Sequence, residues 1–252
     1  MESPKFNIHH YTDLSAMISI LGQKQIVLRA SNVLYLNDTR ELLEGIDAIK
    51  KTENIQICSG SFRSYYLTSF SHADDNINMW GMYAANGSGC MLSFDYDTIC
   101  KCYQIVAQCT YGQEATLKDL KNFLNLTDNG CITNLGGPQP TSEQQSDLKK
   151  SMRENILITT CLQAKNEAYS SEKERRGIIY CNESQYVKFR VKNNIVIPYI
   201  EIPIPKEALK SITIGPTSKS ELTMQSIMHF LKINGYDLDK VQIKTSKVPY
   251  RG

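Results

Sequence analysis

Apolar and polar positions follow two periods along this chain, and the two periods predict both strands and helices. Runs of period two, rich in β-branched and aromatic residues, predict strands: FNIHHYT, QIVLRAS, YYLTSFS, GCMLSFDY, CYQIVAQCTYG, QYVKFRV, NIVIPYIEIPI, SITIGP and KVQIKTS. Helical spacing of apolar residues predicts helices over LSAMISIL, LNDTRELLEGIDAIKK, DDNINMWGMYAANG and SELTMQSIMHFLKINGY. These elements do not alternate as regular βαβ units, so we predict an α+β fold.

Residues 113–168 differ in character from the rest of the chain. Two helical stretches, 114–126 and 141–165, flank a segment rich in glycine, proline and polar residues. Such a composition is typical of a mobile connection, so we expect residues 128–140 to be mobile. A chain of 252 residues can form one large domain. We therefore predict a single domain over residues 1–252 with a helical insertion at about 113–168.

Composition argues against several classes of protein. The net charge is +2, so no global field favours nucleic acid or a membrane. No apolar run approaches the ~20 residues that span a bilayer, and the N-terminus lacks a signal-peptide pattern. We therefore expect a cytoplasmic protein whose eight cysteines are reduced. We expect no metal, because no cysteine pair has zinc-site spacing.

The stretch YSSEKERRGIIY, residues 169–180, predicts a strand with a charged first half. If the strand runs through, Glu172, Glu174 and Arg176 share one face, and Lys173 and Arg175 share the other. The two carboxylates would lie roughly 7 Å apart. One could hold a substrate hydroxyl and the other orient a nucleophile, with the guanidinium keeping both ionised. The alternative is a solvated edge strand, whose charges discourage aggregation.

Polar groups at other strand ends are further candidates. His9 and His10 stand at the end of the first strand, just before a helix start, where binding groups are common. Because strand side chains alternate, at most one of the two histidines is expected to face a site. Ser69 and Ser71 alternate along their strand and share one face, so both could line a pocket.

The helix predicted after Ser71 carries Trp80, the only tryptophan, and Tyr83. A lone large aromatic is most often buried, so we predict that Trp80 lies in the core. Tyr83 has a polar end and could line a pocket. The chain has no P-loop, no Rossmann glycine fingerprint and no GxSxG elbow.

The order of these groups resembles the His-Tyr-Glu branch of the ADP-ribosyltransferase superfamily. The three matching stretches are HHYTDLSAMISILGQKQIVLRAS, TSFSHADDNINMWGMYAANGSGCMLSF and SSEKER. The resemblance implies split mixed β-sheets flanked by helices, and NAD as substrate. It implies Glu174 as the catalytic carboxylate, Glu172 as an auxiliary one, and Tyr83 as the group that packs on nicotinamide. It also implies a set of NAD-binding residues: His10, Tyr11, Thr12, Ser69, Ser71, Tyr83 and Arg176.

The chain also resembles, over nearly its whole length, a bacterial family of unknown function. The matching residues are HYTDL, LNDTRE, SFS, MWGMYA, the spaced K, Y, E and ER of 165–176, IGPTSK and SKVPYR. The E-x-E pair at Glu172 and Glu174 is more typical of the arginine-specific branch of the superfamily, so the acceptor stays open.

Together these resemblances imply a bacterial toxin or anti-phage effector that transfers ADP-ribose from NAD to a macromolecule, either nucleic acid or protein. A neutralising antitoxin or inhibitor is an implied partner, and no membrane is. A basic stretch leaves an RNA or DNA acceptor open: Lys165, Lys173, Arg175, Lys188, Arg190 and Lys192. Two alternatives remain, namely an NAD glycohydrolase and a non-enzymatic binding module on the same fold.

Overall fold

The structure is a computed structural model and describes residues 6–36, 41–50, 59–128, 141–192 and 194–249. The chain divides into two compact units. The first comprises Met1–Asn32, Tyr65–Gln108 and Ser170–Gly252, and the second comprises Val33–Ser64 and Cys109–Tyr169. Strands and helices are mixed, which confirms the predicted α+β class.

In the described residues the strands are β1 (Asn7–Thr12), β2 (Ile26–Asn32), β3 (Tyr65–Ser71), β4 (Cys90–Asp95), β5 (Ile105–Gln108), β6 (Thr110–Tyr111), β7 (Ala164–Lys165), β8 (Glu174–Tyr180), β9 (Lys188–Lys192), β10 (Ile195–Ile204), β11 (Leu209–Ile214) and β12 (Gln242–Thr245). The α-helices are α1 (Leu14–Leu21), α2 (Glu41–Lys50), α3 (Ile77–Tyr83), α4 (Tyr96–Cys102), α5 (Gln113–Asp128), α6 (Ser142–Gln163) and α7 (Ser220–Ile233). The helix predicted after Thr12 is confirmed, and the Asp13 carboxylate caps it by accepting from the Ala16 amide at 2.7 Å.

The first unit is built on a mixed sheet that forks at β3. One edge of β3 pairs along its length with β8, which in turn pairs with β5. The other edge of β3 pairs with two strands. β2 pairs with β3 at Leu67, and β1 pairs with β3 at Ser71. From this fork one branch continues as β1-β4-β11-β12 and the other as β2-β10-β9. The two branches therefore diverge beside the C-terminal half of β3.

The two faces of this sheet differ in what they bury. The core face carries Ile8, Phe70 and Ile200, which join the main apolar cluster. Helices α1, α4 and α7 contribute to that cluster. On the opposite face, α3 forms a smaller cluster that includes Trp80 and Tyr11. Trp80 is fully buried there, which confirms its predicted place in a core.

The second unit consists mainly of α2, α5 and α6, with a parallel pair of short strands, β6 and β7. Helices α5 and α6 confirm the two helical stretches predicted within 113–168. A Cβ at Gly45 would lie 2.5 Å from the Cys161 Cα, so α2 and α6 cross where only glycine fits. The connection predicted to be mobile lies outside the described residues from 129 to 140.

One strand prediction was wrong at its start. Residues Glu167–Glu172 form a 3-10 turn, and β8 begins only at Glu174. Between them, Lys173 has a φ of 45°, in the left-handed region that non-glycine residues rarely adopt. This turn breaks the alternation on which the predicted E-x-E strand face depended. Glu172 is therefore not an i, i+2 neighbour of Glu174 on a strand.

Other features of the described residues bear on the sequence predictions. None of the described cysteines forms a disulfide: Cys90, Cys100, Cys102, Cys109, Cys161 and Cys181. Within the same described ranges, no three His, Cys, Asp or Glu side chains come together as metal ligands. No helix in that part of the chain is both long enough and apolar enough to cross a bilayer.

Candidate functional site

Strand register aligns three polar residues in a row across β1, β3 and β8. His9 pairs with Ser71, and Ser71 pairs with Glu174 on its other side. Directly paired residues point to the same face of a sheet. We call this the site face, defined by His9, Ser71 and Glu174. It is opposite the core face, because Phe70 and Ile8 are the strand neighbours of Ser71 and His9.

Glu174 forms a buried ion pair with Arg176. The guanidinium donates from Nε to Oε1 at 3.1 Å and from Nη2 to Oε2 at 3.2 Å. The two residues are 3% and 2% exposed, respectively. Their i, i+2 spacing on β8 places both on one strand face, as predicted for this pair. A charge buried this deeply is tolerated only when a partner compensates for its lost hydration.

Hydrogen bonds of the backbone at and next to Glu172 hold this residue beside Ser71 on the site face. The Ser71 hydroxyl donates to the Glu172 carbonyl at 2.6 Å and accepts from the Ala73 amide at 2.8 Å. One residue on, the His72 amide donates to the Lys173 carbonyl at 3.0 Å. These bonds hold the left-handed turn against the end of β3. The turn, and not strand alternation, therefore brings Glu172 to the site face.

The Glu172 side chain meets Tyr83. The tyrosine hydroxyl donates to Glu172 Oε1 at 2.8 Å. Tyr83 is half-buried at the end of α3, whereas Glu172 is buried. At the other end of α3, the Asn76 side chain caps the helix by accepting from the Asn78 and Met79 amides. The structure thus joins two residues that the sequence analysis singled out separately.

Asp75 anchors the start of α3 and was missed by the sequence analysis. Its carboxylate accepts from Trp80 Nε1 at 2.8 Å, from Ser246 Oγ at 2.6 Å and from the Lys247 amide at 2.8 Å. Val248 packs on the same small cluster as Trp80. The C-terminal segment after β12 therefore ties down the helix that carries Tyr83. No local pattern around Asp75 predicts this role, because its partners Ser246 and Lys247 come from the distant stretch SKVPYR.

Tyr11 supports the same helix from β1. Its hydroxyl donates to the Ala73 carbonyl at 2.7 Å and accepts from the Asn76 amide at 3.1 Å. Its ring packs edge-on against Trp80, with centroids 5.0 Å apart. Tyr11 is buried. The structure thus shows it supporting α3 from within the small cluster.

The two histidines point to opposite faces of the sheet. His10 packs edge-on against Phe70 on the core face and donates from Nδ1 to the Ser69 carbonyl at 3.0 Å. His9 lies on the site face, where its Nδ1 is 2.9 Å from Ser93 Oγ. The predicted alternation is confirmed, because the two histidine side chains lie on opposite sides of the sheet. The resemblance implies His10 as an NAD-binding residue, whereas the register places His9, and not His10, in the row with Ser71 and Glu174.

The remaining predicted residues divide between the faces. Ser69 is exposed on the site face, paired with Arg176. Thr12 is buried and lies two residues after His10 on β1, so it lies on the core face. The structure therefore brings together Ser71, Tyr83, Glu172, Glu174 and Arg176, with His9 and Ser69 on the same face. It separates His10 and Thr12 from them.

Burial makes His9 hard to protonate in the folded state. It lowers the pKa of His9 to about 4 from an ordinary 6.5, although the Asp74 carboxylate opposes this shift. Burial also lowers the pKa values of His10 and His72, and in His72 the Arg175 charge adds to the effect. At neutral pH all three imidazoles are therefore uncharged.

We expect the protein to lose stability on acidification. Between pH 6.5 and 4 the unfolded chain takes up a proton at His9 that the folded chain does not, so the free energy of unfolding falls by about 3 kcal/mol from this group. Urea unfolding at several pH values would measure the slope. His9→Gln should flatten it, whereas His229→Gln, on an exposed part of α7, should not. Equal slopes in the two variants would contradict the assignment.

Removing the Tyr83 hydroxyl should cost stability as well as site geometry. Tyr83→Phe takes away the donor to the buried Glu172 carboxylate, and leaving such a group short of a bond costs about 1–3 kcal/mol. Denaturant unfolding of this variant is the measurement. Tyr186→Phe is the matched control, because that ring is 58% exposed. The same loss in both variants would argue against a structural role for this contact.

Comparisons of the whole chain with protein-family models, with curated proteins and with solved structures found no match.

Proposed function

We propose that this chain transfers ADP-ribose from NAD to a macromolecular acceptor. The observation that supports it best is the contact of Tyr83 with Glu172 beside Glu174, at the place where the sheet forks. An aromatic side chain and two carboxylates are the groups that this reaction needs around the nicotinamide ribose. The forked sheet is in line with the split sheets of an ADP-ribosyltransferase-like fold.

The chemistry assigns a role to each carboxylate. Breaking the bond between C1′ of the ribose and N1 of nicotinamide develops oxocarbenium-like charge on the ribose. Glu174 would stabilise that charge through the ribose hydroxyl, and Arg176 would keep the carboxylate ionised. Nicotinamide leaves with the bonding electron pair, the acceptor attacks C1′, and the acceptor's proton passes to Glu172.

The other residues would position NAD. The Tyr83 ring would pack on nicotinamide while its hydroxyl orients Glu172. His9, Ser69 and Ser71 would lie on the ribose side of the bound NAD, so that His9 replaces His10 in the set implied by the resemblance. Their contribution is orientation, because NAD already carries its leaving group. The implied setting is a bacterial toxin or anti-phage effector with a neutralising protein partner.

Incubation with NAD labelled in the adenylate moiety tests this proposal. Release of nicotinamide with label on a macromolecule supports transfer. Release of nicotinamide with only free labelled ADP-ribose would replace transfer by NAD hydrolysis. No release of nicotinamide with any acceptor fraction would leave a binding module on this fold and end the enzymatic proposal.

A further inference from the structure

An open groove lies away from the candidate site, at the ends of β2, β9 and β10. Its volume is about 660 Å³, within the ~300–1,000 Å³ range of ligand sites. The residues that line it include Gln23 and Gln185, the lysines Lys24 and Lys188, the carboxylate Glu201, and Tyr186. We call it the glutamine groove. The Tyr186 ring is 58% exposed and offers a flat apolar surface.

Cations gather beside this groove on one face of the sheet. Lys188 and Arg190 are two residues apart on β9 and so lie on the same face. The Arg29 guanidinium stacks over the Tyr199 ring, 5.2 Å from its centroid. Burial and then the charge of Arg29 lower the pKa of Arg190. Arg190 Nη2 donates to Ser31 Oγ at 2.8 Å, whereas its Nε is buried with no hydrogen-bond partner in the described residues. These cations repel one another, so an anion placed among them would be stabilised.

Two carboxylates of the described residues near the groove partly offset these charges. Glu201 accepts from Lys188 Nζ at 2.7 Å, and this pair is substantially exposed. Glu183 accepts from the neighbouring Gln185 amide at 2.7 Å. An exposed ion pair of this kind contributes little stability and can be exchanged for another anion. Lys24 lines the groove, and Arg29, which pairs with the lining residue Glu201, adds further positive charge beside it.

The groove lies on the same sheet face as the candidate site. Ser31 of β2 pairs with Leu67, which precedes Ser69 and Ser71 on the same face of β3. Ser31 also pairs with Tyr199, which pairs in turn with Lys188. Four strand spacings separate β8 from β9, which is roughly 20 Å. A flexible polymer several units long can reach from one to the other.

We propose that the glutamine groove binds single-stranded nucleic acid. Phosphates would contact Lys24, Lys188 and Arg29, and a base would stack on the Tyr186 ring. The glutamine amides carry both donors and acceptors, as the edges of bases do. An acidic peptide would satisfy the cations, but the carboxylate side chains that do so would supply no aromatic ring for the tyrosine. Of the six basic residues that leave a nucleic-acid acceptor open by sequence, Lys165 is buried in the second unit.

The inference that the bound nucleic acid is the ADP-ribose acceptor rests on the proposed function. The inference that the groove binds nucleic acid does not. The test is fluorescence anisotropy of a fluorescein-labelled 12-nucleotide RNA, and of the matching DNA, at several salt concentrations without NAD. Failure of NAD chemistry leaves this result unchanged. Binding of either single strand more tightly than of the duplex supports the proposal. Absence of binding, or tighter binding of the duplex, overturns it.

Three variants test where on the protein surface the nucleic acid binds. Lys24→Gln and Lys188→Gln should each reduce the slope of log affinity against log salt by about 0.7, the value for one single-strand phosphate contact. Tyr186→Ala should weaken binding about tenfold, as loss of one stacked base does, with little change in the salt slope. Circular dichroism should show that all three variants remain folded.

Two control variants match these changes away from the groove. Phe189→Ala removes an exposed aromatic from β9 that points to the other face, and Lys101→Gln removes an exposed lysine from α4. Neither should alter affinity by more than about twofold, because neither lines the groove. Equal losses in control and groove variants would overturn the location.

Discussion

Replacing Glu174 by glutamine is expected to slow nicotinamide release about 10²–10³-fold. Glutamine keeps the size of the side chain and can still accept a hydrogen bond, but it removes the charge that would stabilise the oxocarbenium in the proposed reaction. NAD binding should fall much less, because the charge is needed mainly in the transition state. Single-turnover nicotinamide release measures the rate. A rate close to that of the parent protein would show that Glu174 has no role in the reaction.

The same substitution is expected to destabilise the fold, and the two effects can be separated. Glu174→Gln takes from the buried Arg176 its bidentate carboxylate, and breaking such a pair costs about 3–5 kcal/mol. Adding Arg176→Met removes the buried charge, so the double variant should recover most of the stability. It should not recover nicotinamide release. Recovery of both would mean that Glu174 serves only the fold.

Trp80→Ala is expected to lower the free energy of unfolding by about 3–5 kcal/mol. The side chain is fully buried in the small cluster on the site face, and its indole N–H donates to Asp75. Its loss leaves a cavity and releases the start of the helix that carries Tyr83. Denaturant unfolding followed by circular dichroism is the measurement, since the variant has no tryptophan to report fluorescence.

Two further variants calibrate that result. Trp80→Phe keeps most of the packing but removes the bond to Asp75, so it should cost about 1–3 kcal/mol. Met82→Ala changes a 56% exposed residue of the same helix and should cost less than about 1 kcal/mol. A Trp80→Ala effect no larger than that of Met82→Ala would contradict the anchoring role.

Local signals in the sequence predicted the elements well. The helical spacing of apolar residues in LSAMISIL marked α1, and the alternation of YYLTSFS marked β3. Trp80 was placed in a core because large aromatic surface is costly to expose. Each of these features depends on residues a few positions apart. For that reason they can be read without knowing which strands pair.

The site itself depends on long-range pairing, which local patterns do not encode. That His9 and not His10 shares a face with Glu174 follows from the pairing of His9 with Ser71 across 62 positions of chain. Glu172 joins through a left-handed Lys173, a conformation that the residue type disfavours. Asp75 gains its role from a C-terminal segment far away in sequence. These contacts exist only once the whole sheet has formed.

The most direct test of the account is NAD binding by two matched histidine variants. Calorimetric titration with carba-NAD, which lacks the ribose ring oxygen and so does not form the oxocarbenium, measures affinity without turnover. His9→Asn should weaken binding about tenfold, whereas His10→Asn, on the core face, should bind like the parent protein. A parent protein that does not bind, or a loss confined to His10→Asn, would contradict the assignment of this sheet face as the NAD site.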